Sequence, residues 1–320
     1  MNELELAVDV LREAKSVSLA CHVSPDGDAL GSMLGLGLAA RAAGKEVTAS
    51  FGTPFIVPPS LGFLPVDLLI PPADFPPAPE VMVILDAGSL DRLGELGANA
   101  QAAGKTIVLD HHVTNSGFGD VAVVVPTAAA TGELVFDLLQ KLQWELTPEV
   151  AQCLHTALVT DTGRFQYSST TARTLEIAAR LVAAGAKPSV IGQHVYEEAP
   201  FAYLKVSAIA LERARLDEEL RTVVTTLTDD DLSELGISWN DTENLIDLIR
   251  LAQEADTAIL AKGHKDGRVK ISLRSRGATD VGALAASMGG GGHRLASGFT
   301  VEGEVDEVVE RVLKVVEDFR

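Results

Sequence analysis

Along the first half of the chain, short apolar runs alternate with stretches whose apolar positions recur every three or four residues. In MNELELAVDVLREAK, residues Leu4, Val8 and Leu11 share one face of an amphipathic helix. Residues 16–20 read as a strand, 29–43 as an Ala/Leu/Gly-rich helix stopped by Gly44, and 45–51 as a second strand. A Pro-rich surface segment covers 55–79. Further strands are expected at 81–85, 107–109 and 121–125, and helices at 131–142, 148–159 and 171–184, the last stopped by Gly185. This order predicts an α/β fold, a doubly wound, mostly parallel sheet.

The second half has a different rhythm. Residues 188–217 are helical and charged, a connector between a first domain at 1–187 and a smaller α/β domain at 218–320. The β-branched run TVVTTLT opens that second domain. A helix at 241–254 follows, then strands at 257–262 and 268–273, a helix at 280–288, the run Gly289–Gly292, and a closing strand and helix.

Composition supports two cores. At 320 residues, 47% hydrophobic and 22% charged, the chain exceeds what one ordinary core fills. Cys21 and Cys153 are too few for a disulfide framework or a thiolate metal site. The N-terminus lacks a basic, then apolar, signal pattern, and no apolar run approaches the ~18 residues that span a bilayer. A cytoplasmic protein with no membrane partner is expected. The net charge of −19 argues against gripping long duplex nucleic acid, which needs phosphate neutralisation. A short phosphate-bearing ligand stays compatible if the basic residues gather in one pocket.

Four motifs fall where the pattern places the ends of strands or helices. They are His22, Asp26 and Asp28 in HVSPDGD, Asp86 ending VMVILD, Asp110-His111-His112 after TIVL, and Asp161 in VTDTGRF. Successive strands of a parallel sheet end on one edge, so residues distant in sequence meet there. Each motif also has a plain structural explanation: Asp86 as a strand-end or capping residue, Asp28 as the cap of the next helix, His111 and His112 as one packed and one solvated ring, Asp161 as a turn former. Four of them on one edge point instead to divalent cations. Carboxylates and imidazoles without thiolate suit Mn²⁺ or Mg²⁺, crowded carboxylates repel unless cations neutralise them, and two ions roughly 3.5–4 Å apart can clamp a phosphoryl group.

The motifs HVSPDGD, VILD, LDHH and VTDTGRF resemble those of the DHH phosphoesterase superfamily. The sequence GGGGHRLASG, residues 289–298, is similar to the glycine-rich signature of the DHH-associated domain. Together they cover nearly the whole chain, and the set is most similar to the branch of bifunctional nanoRNases and pAp phosphatases (NrnA-like). The resemblance implies a DHH catalytic domain and a DHH-associated substrate-binding domain with a cleft between them. It implies two Mn²⁺ ions, with Mg²⁺ or Co²⁺ as alternatives. His22, Asp26 and Asp86 would hold one, and Asp28, Asp86, His111 and Asp161 the other, with Asp86 bridging. His112 would act on the scissile phosphate, with Asp110 orienting the histidines.

In the second domain, Lys270, Arg274 and Arg276 alternate along KISLRSR, which by itself reads equally well as a solvated basic edge. The glycine run with His293 and Arg294 can present backbone N–H groups to an anion. With the resemblance, Arg164, Arg274, Gly291, Gly292, His293 and Arg294 are expected to contact substrate. The implied activity is hydrolysis of short oligoribonucleotides to mononucleotides and of 3′-phosphoadenosine 5′-phosphate (pAp) to AMP and phosphate, with short RNA or DNA and pAp as substrates and a homodimer as the assembly. Alternatives are a cyclic or linear dinucleotide phosphodiesterase, a RecJ-like single-strand DNA exonuclease, and a non-catalytic nucleotide-binding sensor. A family II pyrophosphatase would share the first-domain motifs but not GGGH.

Overall fold

The computed structural model describes residues 2–242 and 244–320 and divides into two compact units, Met1–Glu198 and Ala199–Arg320. In the first unit the apolar runs become β1 (Ser16–Cys21), β2 (Glu46–Phe51), β3 (Val81–Leu85), β4 (Lys105–Asp110) and β5 (Val121–Val124). They form one sheet in the order β2-β1-β3-β4-β5, every pair parallel. The helices are α1 (Glu3–Glu13), α2 (Gly27–Ala42), α3 (Leu96–Ala102), α4 (Thr131–Leu142), α5 (Pro148–Asp161), α6 (Ala172–Ala183) and α7 (Pro188–Gly192).

All five residues of β3 are buried, as are five of six in β1 and β4. This is the pattern of strands covered on both faces. Alternation divides their side chains between two cores. Leu19, Cys21, Val83, Leu85, Ile107 and Leu109 join residues of α1, α2, α4, α5 and α6. Ala20, Met82, Ile84 and Val108 face Phe75, Leu93, Leu96 and Ala100. Each fully buried Leu, Ile or Met contributes on the order of 1.5–3 kcal/mol. The strand order changes direction beside β1, since β1 has β2 on one side and β3 on the other. Such a switch point opens a crevice beyond the carboxyl ends of the two strands, where HVSPDGD and Asp86 begin.

Helix α2 is buried almost throughout, and its glycines permit that. A Cβ on Gly31 would stand 2.4 Å from the Cys153 carbonyl oxygen, and one on Gly27 2.4 Å from Thr160 Cγ2. Gly27, Gly31 and Gly35 are spaced four apart and so share one face, the one against α5. This close approach brings the start of α2 to the end of α5.

The second unit carries β6 (Arg215–Asp217), β7 (Thr222–Thr228), β8 (Thr257–Gly263), β9 (Arg268–Ser275), β10 (Gly291–His293) and β11 (Ala296–Glu302). Its helices are α8 (Phe201–Glu212), α9 (Asp229–Leu235), α10 (Leu245–Ile249), α11 (Val281–Ser287) and α12 (Val305–Val316). The sheet order is β10-β11-β9-β8-β7-β6, with only β7 and β8 parallel. Ile259, Ile271 and Leu273 pack with α11 and α12 on one face. Val223, Leu227, Ala258 and Leu260 pack with α8, α9 and α10 on the other.

Several expectations are corrected. The helix expected at 241–254 includes residue 243, which lies outside the described residues. The remainder gives a 3₁₀ turn at Trp239–Thr242 and the five-residue α10. The Asp241 carboxylate accepts from the Ser238 amide and hydroxyl, capping the start of that turn. The connector 188–217 is not helical throughout: it holds α7, a π-helical turn at Gln193–Glu197, α8 and β6. The Pro-rich segment is only partly surface, because Leu61, Leu64, Leu68 and Phe75 are buried. Arg276 lies beyond the end of β9 and donates to the Arg250 carbonyl. No helix among the described residues is long and apolar enough to cross a membrane.

Candidate metal centre

Asp26, rather than Asp28, caps α2: its Oδ1 accepts from the amides of Asp28 (3.1 Å) and Ala29 (3.0 Å). Asp28, on the first turn, is freed to point elsewhere. Asp86 follows β3 with φ at +56°, a left-handed conformation that Asp tolerates better than most residues. Asp110 ends β4 and is fully buried, His111 and His112 follow it, and Asp161 is the last residue of α5 rather than a loop residue.

The first unit brings these seven side chains, with His22, to one edge. The two oxygens of Asp86 face different groups. Oδ2 lies 3.6 Å from His22 Nε2, which is 3.9 Å from Asp26 Oδ1. Oδ1 lies 3.6 Å from His111 Nε2, which is also 3.8 Å from Asp28 Oδ2 and 3.4 Å from Asp161 Oδ2. His22, Asp26 and Asp86 therefore outline one pocket able to hold a metal ion, and Asp28, Asp86 and His111 a second. In both imidazoles Nδ1 faces a carbonyl, of Val23 at 2.9 Å and of Ala128 at 3.3 Å. A carbonyl only accepts, so Nδ1 carries the proton and Nε2 turns its lone pair into the pocket, the second-sphere arrangement of metal-ligating histidines.

Asp86, Asp110 and His112 also lie close together, but Asp110 is already committed. Its Oδ1 accepts from the His111 amide (2.9 Å) and faces His112 Nδ1 (2.7 Å), and its Oδ2 accepts from Asn115 Nδ2 (2.6 Å). This third group orients His112 and has no oxygen to spare for an ion.

Charge crowding supports the same reading. Burial, reinforced by Asp86 and Asp161, pushes the Asp28 carboxyl well above its ordinary range. Burial, with Asp26 and Asp86, does the same to Asp161. Burial alone would raise Asp86 too, but the imidazoles of His22, His111 and His112 hold it low. Burial would lower His22 and His112, yet their carboxylate partners raise both. Carboxylates that resist ionising side by side are the chemistry that divalent cations relieve. All donors are oxygen or imidazole nitrogen. The nearby Cys21 is kept a neutral thiol by burial and by Asp86 and Asp26.

Four residues escaped the sequence reading. Thr131 Oγ1 donates to Asp86 Oδ1 (3.0 Å), and the Thr131 and Gly132 amides donate to Asp28 Oδ2 (2.6 Å) and Oδ1 (3.0 Å). Ser32 Oγ also donates to Asp28 Oδ1 (2.9 Å). Asn115 holds Asp110. Their only sequence trace is position, Thr131 opening a helix and Ser32 standing one turn after Asp28.

Arg164 sits in a left-handed turn after α5, φ +64°, with its guanidinium 4.8 Å from the centre of the Tyr196 ring. In the second unit, Arg274 and Lys270 stand on β9 opposite Ala296 and Thr300 of β11. With Ser272, Gly298 and neighbouring residues they line a shallow groove of about 350 Å³. Arg274 Nε is 3.5 Å from Asp247 Oδ1. Gly291, Gly292 and His293 form an edge strand on β11, and Arg294 lies in the hairpin turn, reaching the Gly277 carbonyl. The pairing needs small residues: a Cβ on Gly290 would meet the Gly298 carbonyl at 2.2 Å.

Residues 16–158 match the DHH family, N-terminal domain, and residues 220–319 match the DHHA1 domain. Among curated proteins, the bifunctional oligoribonuclease and PAP phosphatase NrnA of Thermus thermophilus is 33% identical over 99% of this chain and 94% of its own length. The protein of the same name from Bacillus subtilis is 26% identical over 89% of each. A crystal structure of an exopolyphosphatase-related protein from Bacteroides fragilis superposes with a TM-score of 0.91 at 25% identity, covering 99% of this chain and 96% of that one. A catalytic-edge motif set, a glycine-rich second unit and a relative matched end to end agree: the chain belongs to the DHH family, with a DHHA1 domain in its second unit.

Proposed function

We propose that the chain is a metal-dependent phosphoesterase that hydrolyses short oligoribonucleotides to mononucleotides and pAp to AMP and phosphate. The observation that carries this reading is Asp86, a buried carboxylate whose two oxygens face two separate donor pockets. The curated relatives matched over nearly their full length are named for those two activities. His22, Asp26 and Asp86 would hold one divalent cation, and Asp28, Asp86, His111 and Asp161 the other, both Mn²⁺ with Mg²⁺ or Co²⁺ as substitutes. When bound, such a pair polarises a phosphoryl group and lowers the pKa of water.

The chain's own residues do the rest. Asp110 holds His112 by Nδ1, which makes Nε2 the ring atom that would move a proton or donate a hydrogen bond at the scissile phosphate. Arg164 meets phosphate from the first unit. Arg274, Gly291, Gly292, His293 and Arg294 of the second unit receive the base or terminal phosphate. The protein works in the cytoplasm as a homodimer. Chelator-treated protein supplied with Mn²⁺ should release mononucleotides from labelled RNA dimers to pentamers and phosphate from pAp, while pyrophosphate and cyclic dinucleotides turn over slowly. Asp86→Asn should abolish both activities. Rapid pyrophosphate turnover with intact RNA and pAp would refute the proposal, as would near-normal turnover by Asp86→Asn.

A further inference from the structure

We infer that Thr131 is a positioning residue that sets the second of the two proposed cation pockets and leaves the first largely untouched. The inference rests on the two-pocket reading above. One residue at the start of α4 reaches two carboxylates of that pocket: its amide donates to Asp28 Oδ2 at 2.6 Å and its hydroxyl to Asp86 Oδ1 at 3.0 Å. These are the same two oxygens that face His111 Nε2. Oδ2 of Asp86, which faces His22, receives no donor from Thr131.

Geometry gives the hydroxyl a definite task. A carboxylate on a two-bond side chain can rotate about its last bond, and the Asp86 backbone, left-handed at φ +56°, does not fix that rotation. The Thr131 hydrogen bond holds Oδ1 on the side of the second pocket. Thr131 is itself immobilised, being fully buried. Two residues on, buried Glu133 accepts from the Thr174 hydroxyl at 2.5 Å and ties the first turn of α4 to α6. Ser32 completes the hold on Asp28 from the α2 side. Without the hydroxyl, Asp86 Oδ1 loses the hydrogen bond that holds it in the second pocket, whereas Oδ2 keeps its place beside His22 Nε2.

The test is calorimetric Mn²⁺ titration of the whole chain, with Asp26→Ala and Asp28→Ala marking which step belongs to which pocket. Thr131→Val keeps the shape and the amide but removes the hydroxyl. It should weaken the step lost in Asp28→Ala by ~10–100-fold, the range for outer partners of metal ligands, and shift the other step by less than about 3-fold. Thr131→Ser should restore the wild-type titration. If the Val variant does not fold, as judged by its melting curve, Thr131→Ala removes the same hydroxyl and carries the same expectation. Unchanged affinity in both steps, equal loss in both, or failure of Ser to rescue overturns the inference. Wild-type protein that binds fewer than two Mn²⁺ overturns the two-pocket reading beneath it, a result readable before any Thr131 variant is made.

Discussion

Gly31→Ala should destabilise the first unit, although alanine is the better helix former. Replacing a mid-helix glycine by alanine gains about 1 kcal/mol in helix propensity. At Gly31 the new Cβ would stand 2.4 Å from the Cys153 carbonyl oxygen and 3.0 Å from the Ala157 amide nitrogen. Ordinary contact begins near ~3.5 Å, so α2 and α5 must part by roughly 1 Å, and the obstacle is backbone, which cannot swing aside. Overpacking of this kind costs about 1–3 kcal/mol, sometimes more. With the loss of packing along the whole α2–α5 seam, the net should be a destabilisation of ~1–2 kcal/mol. For a unit of this size that lowers Tm by roughly 2–8 °C. Differential scanning calorimetry measures it. Gly192→Ala is the control, because its Cβ would meet nothing within 4 Å and its backbone is right-handed helical; it should hold or raise Tm. A Gly31→Ala protein at least as stable as the control would refute the idea that glycine is required for the α2–α5 approach.

Two further outcomes are expected. His155 is buried, its Nδ1 has no hydrogen-bond partner among the described residues, and burial lowers its pKa to about 4. Between the ordinary value near 6.5 and about 4 the unfolded chain takes up a proton that the folded chain refuses. Stability should therefore fall by on the order of 3 kcal/mol as pH drops through that window; His155→Leu should flatten this part of the urea-midpoint profile, and an identical slope would dismiss the assignment. Arg274→Ala should raise KM for pAp about 10-fold or more with little change in kcat, since it lines a groove in the second unit rather than the metal pockets; unchanged kinetics would remove it from the substrate contacts.

Much of this site was legible from sequence, and for a physical reason. Strands buried on both faces leave long apolar runs, so the polar residues that end them stand out: Asp86 after VMVIL and Asp110 after KTIVL. The two donor pockets combine ligands from the ends of β1, β3, β4 and α5, which a parallel sheet places on one edge. Less legible were residues acting through backbone or hydroxyl groups. Thr131 looks like any helix opener, and its amide contact with Asp28 spans 103 residues. The glycine run shows the same limit: Gly290 and Gly298 are close-packing positions between neighbouring strands, a constraint that composition does not reveal. Among the described residues, the helix expected at 241–254 gives only the 3₁₀ turn at Trp239–Thr242 and the five-residue α10, a shortening that apolar periodicity does not register.

Acidity and phosphate chemistry are reconciled at this edge. A chain with net charge −19 repels anions on average, yet four aspartates, 26, 28, 86 and 161, converge where an anionic substrate is proposed to react. The fold offsets part of that charge with neutral donors: the α2 cap at Asp26, the opening of α4 and Ser32 at Asp28, and Thr131 at Asp86. The amides that open α4 carry partial positive charge, which favours an ionised Asp28. Neutral donors cannot offset all of it, as the raised carboxyls of Asp28 and Asp161 indicate. Two divalent cations, +4 in all, would neutralise these four carboxylates and offer coordination positions to a phosphoryl group. Acidity elsewhere then penalises long polyanions, which must cross the surface, more than a two- to five-nucleotide ligand. Raising ionic strength should therefore help long RNA more than pAp, and the opposite salt dependence would show that the acidic surface does not penalise long polyanions.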